Sequence, residues 1–246
     1  MLTVRGLTVA YGPVKVLHGI DLDIASGEIE ALIGPNGAGQ TSTLNAIAGL
    51  LPRQGEVVLD GEPLVAAAEE VVRKGLALVP QGRRVFPKMS VEENLLMGAY
   101  SKGARWKGFG DRVAPIYDIF PRLGERRRQE AGRLSGGEQQ MLVIGRALLS
   151  EPKVVLSDEL SLGLAPKMVL TLLETIQRFN AEQGTACLLV EQAATAALKI
   201  ATSAYLLQRG NVVYHGPAAR LRDDVDVLHS AYLGQGTARR ESALRR

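Results

Sequence analysis

Apolar positions along this chain fall into short runs, and the spacing between runs changes character twice. Leu2 to Ala10, Val16 to Ile24 and Glu28 to Ile33 are compact stretches rich in Val, Ile and Leu, which predicts strands. Thr43 to Ala48 reads as a helix, and Gly55 to Gly61 as a strand closed by an Asp60-Gly61 turn signal. A short helix over Glu69 to Lys74 precedes a buried strand, Leu76 to Val79, that stops at Pro80. From Phe86 to Ser150 the strand signal vanishes; Ser90-Val91-Glu92-Glu93 carries a capping-box pattern, and helical segments continue to Leu149. Alternation then resumes with a strand at Val154 to Leu156, a helix over Lys167 to Asn180 and a strand at Ala186 to Val190. A helix near Ala193 to Ala201 and a strand at Ala204 to Leu207 follow.

Strands alternating with helices predict a parallel sheet covered on both faces, and the all-helical stretch reads as a subdomain inserted into it. Lys102 to Gly110 holds three glycines without periodicity and is expected to be a surface loop.

Bulk properties exclude more than they assign. At 246 residues the chain can bury a full core, and a net charge of only +3 makes no demand for a nucleic-acid partner. Arg126-Arg127-Arg128 and the arginines of the tail read as solvated faces. No run approaches the roughly 18 apolar residues of a membrane span, and Met1 to Gly6 lacks the features of a signal peptide. Cys187, the only cysteine, lies in an apolar run and is expected to be a core residue in a reducing, cytosolic setting.

The chemistry begins at Gly34-Pro35-Asn36-Gly37-Ala38-Gly39-Gln40-Thr41-Ser42, which fits the phosphate-loop pattern G-x(4)-G-K-[ST] everywhere except at Gln40. Such a loop wraps backbone N–H groups around phosphates and opens into a helix N-terminus. Thr41 would supply a hydroxyl to Mg²⁺; the missing lysine would have been the charge on the β/γ oxygens. Farther on, the strand Val154-Val155-Leu156-Ser157 ends in Asp158 and Glu159. A carboxylate at a strand's C-terminal end can hold the metal of a nucleotide, and its neighbour can polarise an attacking water. Between these segments, Leu134-Ser135-Gly136-Gly137-Glu138-Gln139-Gln140 places a serine and two glycines at a helix start, a second anion-binding arrangement.

This last motif resembles the signature of the ATP-binding-cassette (ABC) ATPases, and the resemblance extends over nearly the whole chain. It implies an α/β P-loop NTPase fold with a mixed-sheet core, an N-terminal antiparallel β subdomain and an inserted α-helical subdomain. Residues 1–85 and 151–235 would form the core with the β subdomain, residues 86–150 the helical signature subdomain, and residues 236–246 a flexible basic tail. Tyr11 matches the aromatic residue that stacks on adenine. Gln81 matches the glutamine that approaches Mg²⁺ and water, Ser161 to Leu164 the D-loop, and Val190-Glu191-Gln192 the switch loop. The resemblance implies ATP and Mg²⁺ as ligands, with Thr41, Gln81 and Asp158 toward the metal. Glu159, Gln81 and Gln192 fall toward catalysis, and Ser135, Gly136, Gly137 and Glu138 toward the nucleotide.

Pro80-Gln81-Gly82-Arg83-Arg84-Val85-Phe86-Pro87, Leu189 to Gln192, Leu162 to Pro166 and Ser230 to Gly234 closely resemble the LivF-type subunits of branched-chain amino-acid importers. Gln192 in place of histidine is usual in that group. The chain departs from the pattern at Gln40, at Leu160 (normally proline), at Ser157 (normally apolar), at Glu30 in a strand that should be buried, and at Ala193.

The resemblance implies a second cassette as partner, as a homo- or heterodimer, with transmembrane permeases and, indirectly, a periplasmic binding protein. It implies a peripheral place on the cytoplasmic face of the inner membrane, and no nucleic acid. Two alternatives stay open: a non-hydrolysing nucleotide-binding or assembly subunit, and the cassette of a urea or amide importer.

Overall fold

A computed structural model describes residues 1–100, 109–191 and 194–223. Two sheets organise these residues. The first is antiparallel: β1 (Leu2–Tyr11) lies between β2 (Val14–Ile24) and β4 (Gln54–Leu59), and the two-residue β5 (Glu62–Pro63) extends it. The second runs β10-β9-β3-β8-β7-β6, built from β3 (Ile29–Ile33), β6 (Leu76–Val79), β7 (Val154–Asp158), β8 (Ala186–Val190), β9 (Ser203–Gln208) and β10 (Asn211–Pro217). β9, β3, β8, β7 and β6 pair in parallel, and β10 returns antiparallel on β9. The core sheet is therefore mixed.

Side-chain alternation divides its central strands between two cores, because successive residues point to opposite faces. Leu156, Leu188 and Val190 join the core shared with the antiparallel sheet and α1 (Gln40–Ile47). Val155, Cys187 and Leu189 face the second core, shared with the helices between β6 and β7 and with α7 (Pro166–Gln183). Those intervening helices are α3 (Val91–Gly98), α4 (Phe109–Ile119), α5 (Pro121–Glu125) and α6 (Gly136–Leu148). Remaining helices are α2 (Ala68–Lys74), α8 (Ala194–Ile200) and α9 (Ala218–Asp223), the last two packed with β3 and β9 in a third cluster. Cys187 is a core residue as expected, and burial lifts its thiol to about 12.

Two sequence expectations are corrected, and two elements went unread. Phe109 and Gly110 belong to α4 rather than to a loop, because Phe109 is buried in the second core; residues 102–108 lie outside the described set. The helix after the phosphate loop begins at Gln40 rather than Thr43, so the last residues of the motif form its first turn. β10 and α9 carried no apolar period strong enough to read, since β10 is largely exposed and α9 buries only Ala218 and Leu221.

Candidate functional site

The phosphate loop connects β3 to α1, and its glycines are set by space as well as conformation. A Cβ on Gly34 would stand 2.2 Å from the Leu207 carbonyl oxygen. Gly39, with φ +112°, is the N-cap of α1, and a Cβ there would meet Leu17 Cδ2 at 2.6 Å. No side chain caps α1 and no acidic residue stands in its first turn, an arrangement that favours an anion at its N-terminus. Gln40, in the place of the lysine, is buried, and its Nε2 donates 3.0 Å to the Gly34 carbonyl.

Two adjacent hydroxyls at its C-terminal end tie the loop to the rest of the site. Thr41 Oγ1 donates to Asp158 Oδ1 at 3.2 Å, linking α1 to the C-terminal end of β7. Ser42 Oγ meets the Tyr11 hydroxyl at 3.2 Å, which holds the half-exposed Tyr11 ring from the antiparallel sheet beside the loop. The structure thus brings Tyr11, Gly34 to Ser42 and Asp158 together.

Burial raises the Asp158 carboxyl above its ordinary range; the Thr41 hydroxyl opposes that rise, and Glu159 adds to it. Glu159 turns away from the strand with φ +50°, a left-handed conformation that non-glycine residues adopt only at a cost. There its carboxylate accepts a 2.6 Å hydrogen bond from Gln81 Nε2, and its N–H donates 2.9 Å to the Val190 carbonyl.

The donor set fits Mg²⁺ in one specific sense. Among the described residues no three His, Cys, Asp or Glu side chains form a self-sufficient metal cage. Mg²⁺ on a nucleotide uses one or two protein oxygens, with phosphates and waters completing its shell. The Thr41–Asp158 pair provides that hydroxyl and carboxylate.

At the start of α6, Ser135 Oγ accepts from Glu138 N–H, and Glu138 Oε2 accepts in return from Ser135 N–H at 2.9 Å. Burial pushes the Glu138 carboxyl up, but the Ser135 hydroxyl and N–H with Arg126 (3.3 Å) leave it below its usual value. The capping box occupies the N–H groups of Ser135 and Glu138. Ser135 itself stays exposed, and Gly136 and Gly137 are partly so.

Two members of the site went unassigned at the sequence level. Glu191, on the strand side of the switch loop, accepts from the hydroxyl and the N–H (3.2 Å) of Ser161, joining that loop to the D-loop. Arg83 donates 2.9 Å to the Gly163 carbonyl. Both residues lay inside quoted motifs; a buried carboxylate next to a D-loop serine is a tertiary fact with no local pattern. Gln192 lies outside the described residues.

A family model described as ABC transporter matches residues 17–161. The high-affinity branched-chain amino acid transport ATP-binding protein BraG of Pseudomonas aeruginosa is 42% identical over 95% of this chain and 100% of its own. The probable branched-chain amino acid transport ATP-binding protein LivF of Archaeoglobus fulgidus is 35% identical, over 90% and 94% of the two chains. A solved structure of an ATP-binding subunit of an ABC transporter superposes with a TM-score of 0.80 at 29% identity, covering 96% of this chain and 97% of the other.

Proposed function

The chain belongs to the ABC transporter family, and from that premise we propose that it is the ATP-binding subunit of an importer for branched-chain, hydrophobic amino acids. The observation that carries the nucleotide site is the convergence of three elements. Tyr11, the phosphate loop and Asp158 are joined by two hydroxyl contacts, with Glu159 and Gln81 paired alongside. The substrate rests on the likeness to BraG and LivF, whose names carry branched-chain amino-acid transport.

In this reading ATP lies with its adenine on Tyr11 and its phosphates on Gly34 to Ser42. Thr41 and Asp158 would hold Mg²⁺, with Gln81 approaching it; the ion supplies neutralisation of charge on the β- and γ-phosphates. Glu159 accepts a proton from the attacking water, and Gln81 holds that carboxylate in place through its 2.6 Å bond. Gln192, by resemblance, orients the same region. Ser135, Gly136, Gly137 and Glu138 meet the nucleotide of a facing cassette, which leaves each site shared between two copies or between this chain and a related one.

Permease docking has a candidate surface. A groove of about 900 Å³ lies between α2, β6 and the helices that follow, lined by Val72, Phe86, Met97, Tyr100 and Arg146. Tyr100 is 76% exposed there. A membrane-embedded partner would place the chain at the cytoplasmic face. Among the described residues no helix is long and apolar enough to cross a membrane.

Two measurements test this function. Purified protein is titrated with ATP and assayed for phosphate release. Uptake of labelled leucine, and separately of labelled urea, is followed in cells lacking their own copy and complemented with this chain. ATP binding with restored leucine uptake supports the reading; restored urea uptake alone would transfer it to an amide importer. The non-hydrolysing alternative is favoured by one observation, Gln40, and predicts binding without phosphate release.

A further inference from the structure

The replacement at position 40 leaves the phosphate loop without its side-chain cation, while a neighbouring element carries one without an acidic partner. Arg83 follows Gln81 and Gly82 in the turn after β6, and its backbone has φ +48° beside φ +87° at Gly82. A non-glycine residue in that region is strained and persists where surrounding structure imposes it. The guanidinium reaches across to the loop at Gly163 and to the start of α6. Nη2 donates 2.9 Å to the Gly163 carbonyl in the D-loop. Nη1 lies 2.5 Å from where a Cβ on Gly136 would stand, so any side chain at 136 would displace it. Among the described residues no carboxylate pairs with Arg83. Its charge therefore stands unneutralised beside the exposed start of α6, where Ser135 and the two glycines form the signature.

Resting on the dimeric reading above, we infer that Arg83 contacts the terminal phosphate of a nucleotide held by the facing copy, supplying in trans the positive charge that Gln40 lacks. A guanidinium suits this task because it presents several N–H donors at once. One donor can keep Gly163 while others reach the phosphate. The two surfaces are then complementary: the loop that cradles the phosphates is neutral at Gln40, and the face that closes over them carries the Arg83 cation.

Arg83→Lys and Arg83→Gln separate charge from position. Lysine keeps the charge; glutamine keeps an N–H donor for the Gly163 carbonyl and loses the charge. Each is made in a Glu159→Gln background, and ATP-driven dimerisation is read by size-exclusion chromatography beside ATP and ADP affinity at low protein concentration. Arg83→Gln is expected to weaken ATP-driven dimerisation about ten- to hundredfold, the range of a charge-assisted contact. Arg83→Lys should retain most of it, and neither should alter ATP affinity of the dilute monomer. Adding Gln40→Lys should shrink the Arg83→Gln defect, since the charge is then present in cis.

Full dimerisation by Arg83→Gln, or failure of Arg83→Lys equal to that of Arg83→Gln, overturns the inference and leaves Arg83 a positioning residue of the D-loop. A loss of monomer affinity overturns the trans assignment. Absence of nucleotide binding in the unsubstituted protein would instead overturn the proposed function, and this inference with it.

Discussion

The Gln40 side-chain amide reaches back across the phosphate loop to the carbonyl of Gly34, a 3.0 Å hydrogen bond between residues six apart. The loop's own backbone thus satisfies a donor that, as lysine, would face the β- and γ-phosphates. To serve a phosphate the amide must leave Gly34, and it arrives without charge. Contacts to charged groups are worth about 1.5–3 kcal/mol, and each 1.4 kcal/mol is about tenfold. Gln40→Lys is therefore expected to raise ATP affinity about tenfold or more, with a larger gain in phosphate release, because charge accumulates toward the transition state. Equilibrium titration and a phosphate-release assay on both proteins check this; equal values would show that the backbone cradle alone suffices.

In the proposed mechanism Glu159 accepts the proton of the attacking water, and Glu159→Gln removes that acceptor while preserving size and a partner for Gln81. Loss of a positioned general base costs about 10²- to 10⁴-fold. Steady-state hydrolysis should fall by that factor with ATP affinity unchanged, and the ATP-bound dimer should accumulate. Gln81→Ala, which deletes the 2.6 Å bond to Glu159, is expected to lower kcat more than it changes KM. A KM effect of equal size would place Gln81 in substrate binding.

The strands and helices that build the two main cores were legible because their apolar residues repeat at strand or helix spacing. β10 and α9 were not, being held by pairing to β9 and by a few buried contacts. Within the site, the glycines of the phosphate loop, the carboxylate of Asp158 at a strand end and the serine and glycines that open α6 were legible from spacing. The reading of Ser135 to Gly137 as a signature came from the family resemblance. Tertiary contacts had no such signal. Tyr11 reaching Ser42, Glu191 accepting from Ser161 and Arg83 crossing to Gly163 join residues 31, 30 and 80 positions apart. Their roles depend on strand order, which local sequence does not encode.

Ser157, the polar departure in β7, is 1% exposed, and its hydroxyl has no hydrogen-bond partner. Burying an unsatisfied hydroxyl costs about 1–3 kcal/mol, whereas an apolar replacement of similar shape removes the cost. Ser157→Ala should stabilise the fold by about 1 kcal/mol, read as a higher urea midpoint with unchanged slope. A lower midpoint would mean that the hydroxyl is satisfied when the protein is in solution.

Glu30 poses the same problem with a charge. It sits in the central strand β3, 2% exposed, between β8 and β9. Ser203 Oγ donates to its Oε1 at 2.8 Å, while Oε2 has no partner. Burial lifts the carboxyl from 4.5 to about 7, Ser203 restrains the rise and Glu28 adds to it. Because the folded-state value exceeds the unfolded one, the protonated form's contribution to stability is full below pH 4.5. It is lost as pH rises through about 7. At 1.36 kcal/mol per unit the loss is about 3 kcal/mol. Glu30→Gln keeps the shape and an acceptor for Ser203 but cannot ionise, so its stability should not follow that curve. The two proteins should have similar urea-derived stabilities near pH 4.5, and the variant should lead by about 3 kcal/mol at pH 8. Parallel pH profiles would show that Glu30 ionises in the folded protein without penalty, through water or a partner reaching Oε2.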